Sequence, residues 1–393
     1  MKCIVPERRK FIYLPALNTA IVQYKRRFVG SDGQEYVSNW WDKDSPFYYD
    51  CGLISAYYGM DVGVDFREKF GLNKEFQLYA DSGGYQVVTQ KANISSLDVL
   101  QWQEKTSQYG LILDHPPYEE VGAYQFGGNI YNVFDKSLQR TRENAELMLK
   151  NKDKDFKLYG VIQGESPAQM KEWHKSISSL EDQYEKFHAW ALSPKPSYDV
   201  MKIGLFGVMA LENLNTPLHI LQVSGHDSTL ISAYIASLYK RKVTLDSSSY
   251  MIGVRYGQAK DDWDLRKSWN FGTEETKQPV HFSRMPSCDI IGRILSEVPI
   301  KDYDSTHYNF LNLHNLLKFI QFFNYLEVLS EKREEFVKYV KDNCNEGSKV
   351  MMAIEMVDYG YENGLDRAFE KYKDRISMTE KPVKQDSIFG EWK

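Results

Sequence analysis

Apolar and polar positions alternate along this chain in a repeating unit: a short apolar run stops at a polar or acidic residue, and a helix-length amphipathic stretch follows. Gln77–Ala80 reads as the end of a buried strand, halted at Asp81 with Ser82, Gly83, Gly84, Tyr85 and Gln86 behind it. Ser95 to Tyr109 carries Leu97, Leu100 and Trp102 at helical spacing, with Ser95 or Ser96 as N-cap. The next run, Gly110–Leu113, ends at Asp114, before His115, Pro116 and Pro117. Lys157–Ile162 ends at Gln163 and Gly164, ahead of a helical stretch holding Met170 and Trp173. His188–Leu192 closes in Ser193 and Pro194, and His219–Val223 in Ser224 and Gly225. A helix capped by Asp227 or Ser228 then presents Leu230, Ile231, Tyr234, Ile235 and Leu238 on one face. Val243–Leu245 is the last run, and it stops at Asp246 with Ser247, Ser248 and Ser249 behind it.

Short apolar strands separated by helix-length segments predict parallel strands joined by crossover helices, with the polar residues past each strand gathered on one face. The number of units favours an α/β fold of the (β/α)8 TIM-barrel type over a doubly wound open sheet, and 393 residues suit a barrel with additions. Residues 1–76 form an N-terminal segment of the barrel domain with insertions. They include a predicted strand at Lys10–Leu14 and an aromatic stretch with Trp40, Trp41, Tyr48 and Tyr49, and no chemistry is assigned there. The catalytic barrel is placed at 77–325 and a C-terminal helical extension at 326–393. A helix is expected over Asn312–Leu329, and the charged run Glu331 to Glu335 leads into a half-buried face of Val337, Tyr339 and Val340 that covers the barrel or meets a partner.

Charge narrows the function classes. With 49 basic against 54 acidic residues, bulk attraction to a polyanion is excluded, and any nucleic-acid contact must come from local patches. The basic clusters at Arg8 to Lys10, Lys25 to Arg27 and Lys240 to Lys242 read first as solvated surface. Cys3, Cys51, Cys288 and Cys344 are far apart and form no CxxC pair. No signal peptide and no membrane-length apolar run is present, so a cytoplasmic protein without membrane partners is expected. There is neither a dinucleotide-binding GxGxxG nor a P-loop, and no cofactor is expected.

Three carboxylates at three strand ends, Asp81, Asp114 and Asp246, are the usable chemistry. Each alone is an ordinary cap or turn residue. Converging at a barrel mouth, one can attack an electrophilic carbon, one can shuttle a proton and one can bind a donor edge of a substrate. That is the logic of double displacement at a sugar carbon through a covalent glycosyl ester. Gly83 and Gly84 let a flat ligand approach the main chain, and Tyr85 offers a ring to stack on it.

DSGGYQ at Asp81 to Gln86, LILDHPPY around Asp114, VIQGES at Val161 to Ser166 and VTLDSSS around Asp246 resemble the tRNA-guanine transglycosylase superfamily in order and spacing, from about Gln77 to Tyr325. Members are zinc-containing (β/α)8 barrels that exchange a guanine for a 7-deazaguanine without breaking the polynucleotide. The resemblance implies a pentosyltransferase in which Asp246 attacks C1′ and Asp81 serves as general acid and then base. It also implies base binding by Asp114, Gln163 and Gly164, stacking by Tyr85, and backbone groups offered by the loop at Ala189 and Trp190, which here lacks glycine. Arg255 with Tyr256, Gly257 and Gln258 resembles a weaker motif that handles the polynucleotide.

The chain departs from the family where CxCxxC and a later His would hold zinc. It reads Ser283, Met285, Cys288 and His314, so Cys288 and His314 stand as remnants of a degenerate site and no metal is expected. With that subdomain altered, no separate RNA-binding domain after the barrel, and a DSSS run, the chain is most similar to the DNA-modifying branch found in phages and bacterial gene clusters. DNA and a preQ0-like base are the expected partners, tRNA is the alternative, and the oligomeric state is left open. A non-catalytic nucleic-acid-binding relative would be free to lose Asp81 and Asp246, and a plain glycoside hydrolase would have no use for DSGGYQ.

Overall fold

The computed structural model describes residues 10–17, 27–29, 33–89, 93–121, 129–194, 199–223, 225–260, 265–270, 289–296, 305–345 and 347–376. Eight parallel strands form the barrel: β1 (Phe11–Pro15), β2 (Cys51–Ser55), β3 (Gln77–Asp81), β4 (Tyr109–Leu111), β5 (Lys157–Ile162), β6 (Ala189–Leu192), β7 (Leu218–Ile220) and β8 (Val243–Ser247). Neighbours pair in the order β1-β8-β7-β6-β5-β4-β3-β2. The seam between β1 and β2 is held by a parallel bridge from Ala16 to Leu53, where the Leu17 N–H donates to the Leu53 carbonyl at 2.7 Å. The (β/α)8 expectation is borne out, and the barrel begins at Phe11: β1 and β2 both precede Gln77, where the sequence reading starts it.

Burial on both faces explains the apolar character of these strands. All five residues of β8, Asp246 among them, are buried. Outside the barrel lie α1 (Gly84–Thr89), α2 (Ser96–Thr106), α3 (Phe134–Asn151), α4 (Pro167–Ser178), α5 (Val200–Asn213), α6 (His226–Tyr239), α7 (Ser249–Arg255) and α8 (Ser305–Ser330). Ser95 caps α2, its hydroxyl facing the Asp98 N–H, and α2 ends at Thr106 because Tyr109 already belongs to β4. The cap of α6 differs from expectation. Gly225 occupies the N-cap without a side-chain bond, and Ser228 sits inside the first turn, bonding back to the Gly225 carbonyl at 2.9 Å. Asp227, also in that turn, still complements the helix dipole. Helix α8 runs longer than predicted and lays Phe319 and Phe323 on Tyr13 and Phe11, with ring centroids 5.2 and 4.8 Å apart.

The C-terminal region covers the barrel's helical layer. Helices α9 (Arg333–Asn343) and α10 (Lys349–Asn363) follow α8, and α10 packs so closely on α5 that Met356 lies against Gly204 and Val208 against Gly360. Helix α5 is therefore covered on both sides, which is why it is apolar around nearly its whole circumference. Arg333 and Tyr234 both bond Asp358, tying α9 and α6 to α10.

Near the N-terminal ends of the strands, Tyr79 and Tyr109 stack at 4.3 Å, Tyr159 meets Tyr79 edge-on at 6.2 Å, and Lys242 reaches across from just before β8 to donate to the Tyr79 hydroxyl at 2.8 Å. A contact from the residue just before β8 to β3 crosses the barrel, so this cluster is its floor. Among the described residues, no helix is long and apolar enough to cross a membrane.

Candidate active site

The opposite end of the barrel gathers the polar residues. Asp81 is the last residue of β3, and the chain turns at Gly83, whose φ of 83° favours glycine. The Gly83 N–H faces Asp81 Oδ2 at 3.4 Å. Gly84 opens α1, and a Cβ there would stand 2.3 Å from the Asp114 carbonyl oxygen and 2.5 Å from its Oδ1. Only glycine admits Asp114 so close. The paired glycines thus have separate uses: one turns the chain and the other makes room for a carboxylate from the next strand. Tyr85, half-buried, follows on the first turn of α1.

Asp114 lies beyond the end of β4 and is 7% exposed. Gln163, the first residue past β5, is fully buried and donates its amide N–H to Asp114 Oδ2, and the Ser82 hydroxyl donates to Oδ1 at 3.4 Å. Burial is the larger cause, and the Asp81 charge the second, that push the Asp114 carboxyl up to about 7. The Gln163 Oε1 is buried with no hydrogen-bond partner. Gly164, at φ 134°, carries the chain from Gln163 into α4, where a Cβ would press on the Met170 backbone nitrogen at 2.8 Å.

Asp246 is 5% exposed. Its Oδ1 accepts the Gln222 backbone N–H at 2.7 Å, and His219 Nε2 lies 3.2 Å from the same oxygen. Gln222 reaches it from the left-handed region, φ 56°, uncommon for a side-chain-bearing residue and costing about 1 kcal/mol. Burial first, and then the Asp246 charge, raise the Asp81 carboxyl above the ordinary range, while the Gly83 and Ser82 N–H groups partly offset this. Asp81, Asp114 and Asp246 are therefore brought together, with Gln163 bonded to Asp114, and Tyr85 follows Gly84 in the chain.

Ala189 and Trp190 are not. Ala189 starts β6 opposite Tyr159, in the layer of the floor, whereas Leu192 is the residue opposite Ile162 at the end of β5, and Ser193 follows it with its N–H on the Ile162 carbonyl at 3.1 Å. The Trp190 indole faces the helical layer, meeting His174 at 4.8 Å and filling the space left by Gly160. Arg255 and Gln258 are exposed on the segment that follows β8.

Of the zinc-site positions, Ser283, Met285 and Cys288 lie outside the described residues. His314 is fully buried and its Nε2 donates to the Lys260 carbonyl at 2.7 Å; burial holds its pKa down to about 4. A serine, a methionine and a histidine already committed to a carbonyl do not fit a closed four-ligand zinc. Elsewhere among the described residues, His226, Asp227 and Cys344 come within 4.8 Å of one another. There the His226 Nδ1 is already bonded to Asp227 at 2.7 Å, and burial pushes the Cys344 thiol up to about 11.

His219 and Gln222 escape a reading of strand ends. His219 sits inside the apolar run LHIL, and only the register of β7 on β8, His219 opposite Thr244, places it beside Asp246. A polar residue in a buried strand was the available signal.

In comparison with known proteins, no family model and no curated protein matches the chain. The fold and the mouth together define a (β/α)8 barrel with a three-carboxylate cleft.

Proposed function

We propose that the protein is a guanine transglycosylase that exchanges guanine for a preQ0-like 7-deazaguanine in DNA, by double displacement through a glycosyl ester on Asp246. The observation that carries this is the division of labour among the carboxylates. The Asp246 charge helps raise the Asp81 carboxyl, while Asp114, which accepts the Gln163 amide N–H, and the unpartnered Gln163 Oε1 form a buried acceptor edge next to them.

Guanine presents N1–H and an exocyclic amine on one edge, and these need acceptors; Asp114 and Gln163 Oε1 supply them side by side. Tyr85 stacks on the ring. In the first step Asp246 forms a bond to C1′ as the C1′–N9 bond breaks, and Asp81, whose raised pKa lets it hold a proton, delivers that proton to N9. The incoming base returns a proton to Asp81 as its N9 bonds C1′ and the Asp246 ester breaks. Two inversions retain configuration. Both C1′ and the base edge must enter the mouth, so the nucleotide is turned out of a duplex or presented on a single strand. The incomplete zinc donor set and the DSSS run at Asp246 favour DNA over tRNA.

Labelled preQ0 offered with duplex DNA, single-stranded DNA and tRNA in parallel tests this. Label in DNA that disappears with Asp246→Ala is the expected result. Label confined to tRNA would overturn the substrate, and wild-type label surviving in Asp246→Ala would overturn the mechanism.

A further inference from the structure

His219 is completely buried, and its Nε2 has no aligned hydrogen-bond partner although Asp246 Oδ1 is 3.2 Å away. Its other nitrogen is anchored: Nδ1 lies 2.8 Å from the Thr244 hydroxyl, which also reaches the Leu218 carbonyl at 3.2 Å. A buried polar group left unpaired costs free energy, so its retention against the nucleophile calls for a use.

The surroundings limit where the ring protons can sit. A ring protonated only at Nδ1 would set the Nε2 lone pair against a carboxylate oxygen at 3.2 Å, which is repulsive. The two other forms place an Nε2–H beside Asp246 Oδ1 without aligning it there. With Nδ1 also protonated, Nδ1 donates to the Thr244 hydroxyl, which donates to the Leu218 carbonyl; with Nδ1 bare, the Thr244 hydroxyl turns to donate to Nδ1 instead. Meanwhile Oδ1 is already held by the Gln222 N–H at 2.7 Å. Oδ2 is then the oxygen that attacks C1′, and Oδ1 becomes the carbonyl oxygen of the ester.

We infer that His219 is a positioning residue whose Nε2–H is reserved for that carbonyl, together with the Gln222 N–H. This rests on the transglycosylase reading above. Two donors on Oδ1 stabilise the negative charge that returns to the carboxylate as the C1′–Oδ2 bond breaks, so the pair acts as an oxyanion-type site for the second displacement. No proton is transferred by His219, and the electron pair of the C1′–Oδ2 bond returns to the Asp246 carboxylate.

His219→Gln and His219→Asn separate this role from packing. The Gln amide reaches the place of Nε2, and the Asn amide only that of Nδ1. Single-turnover formation and breakdown of the glycosyl-enzyme, with steady-state kcat and KM, are measured on a guanine-containing oligonucleotide. For Asn the expected result is a fall in kcat of about 100-fold with KM little changed and the adduct accumulating. For Gln, most of the rate is expected to be retained. Equal kcat for the two variants, or a loss in Asn confined to KM, overturns the inference. A wild-type protein that forms no adduct and exchanges no base would instead remove the transglycosylase reading on which it stands. Should the His219→Asn protein fail to fold, His219→Phe takes its place in the comparison with His219→Gln.

Discussion

The floor and the mouth of the barrel are built from the same eight strands, yet they treat polar groups in opposite ways. On the floor, Lys242 is matched to the Tyr79 hydroxyl and lies over the Tyr79 and Tyr109 rings, 5.5 and 5.6 Å from their centroids. In the mouth, carboxylates crowd one another, a glutamine oxygen and a histidine nitrogen are buried without aligned partners, and Gln222 holds a strained backbone. A barrel end that serves stability satisfies its polar groups internally, and one that serves a ligand leaves them for the ligand.

Substitutions in the mouth should sharpen that contrast. Asp114→Asn is expected to lower kcat/KM for base exchange about 10- to 100-fold, because a donor amide replaces a charged acceptor facing the base. The same change should stabilise the protein at high pH. The folded carboxyl is raised from 3.8 to about 7, so the folded state binds the proton more tightly than the unfolded chain does. Wild-type stability from this group is thus fullest below 3.8 and falls as pH rises towards 7. Thermal melts at pH 4 and pH 8 check this: Asn should raise Tm at the higher pH and change it little at the lower. A Tm gain at the lower pH alone would contradict the sign.

Gly84→Ala would drive a methyl into Asp114, 2.3 Å from its carbonyl oxygen, with a stability loss of about 1–3 kcal/mol by denaturant titration and loss of exchange. On the floor, Lys242→Met should cost about 1 kcal/mol through the lost hydrogen bond and cation–π contacts, leaving exchange kinetics intact below the melting transition. A large rise in KM there would break the division between the two ends. Gln222→Gly is the mildest change. It relieves a left-handed residue by about 1 kcal/mol while keeping the N–H on Asp246, so a small rise in Tm with exchange preserved is expected.

These particulars also show what the chain discloses before folding. Runs stopped by Asp81, Asp114, Gln163 and Asp246 mark strand ends directly, because strands buried on both faces tolerate polar residues only where they leave the sheet. Ala189 and Trp190 rest on the resemblance alone, whereas the strand-end pattern points to Ser193, where the run from His188 to Leu192 stops. His219 depends on inter-strand register, and the Gln222 N–H on a backbone angle, neither of which a linear pattern encodes. Strand β1 matches the strand expected at Lys10–Leu14, but β2 was hidden: the segment before it carries its own hairpin, Arg27–Val29 with Glu35–Val37, and an aromatic cluster around Trp40 and Trp41, and these obscure the repeat.

The central claim is that Asp246 becomes the glycosyl ester. Intact-mass measurement of the protein incubated with a guanine-containing single-stranded oligonucleotide, followed by peptide mapping, tests it most directly. The account predicts an adduct of one oligonucleotide on Asp246, discharged by added preQ0 and absent from Asp246→Ala. An adduct mapped to Asp81 or Asp114, or base exchange that persists in Asp246→Ala, would contradict it.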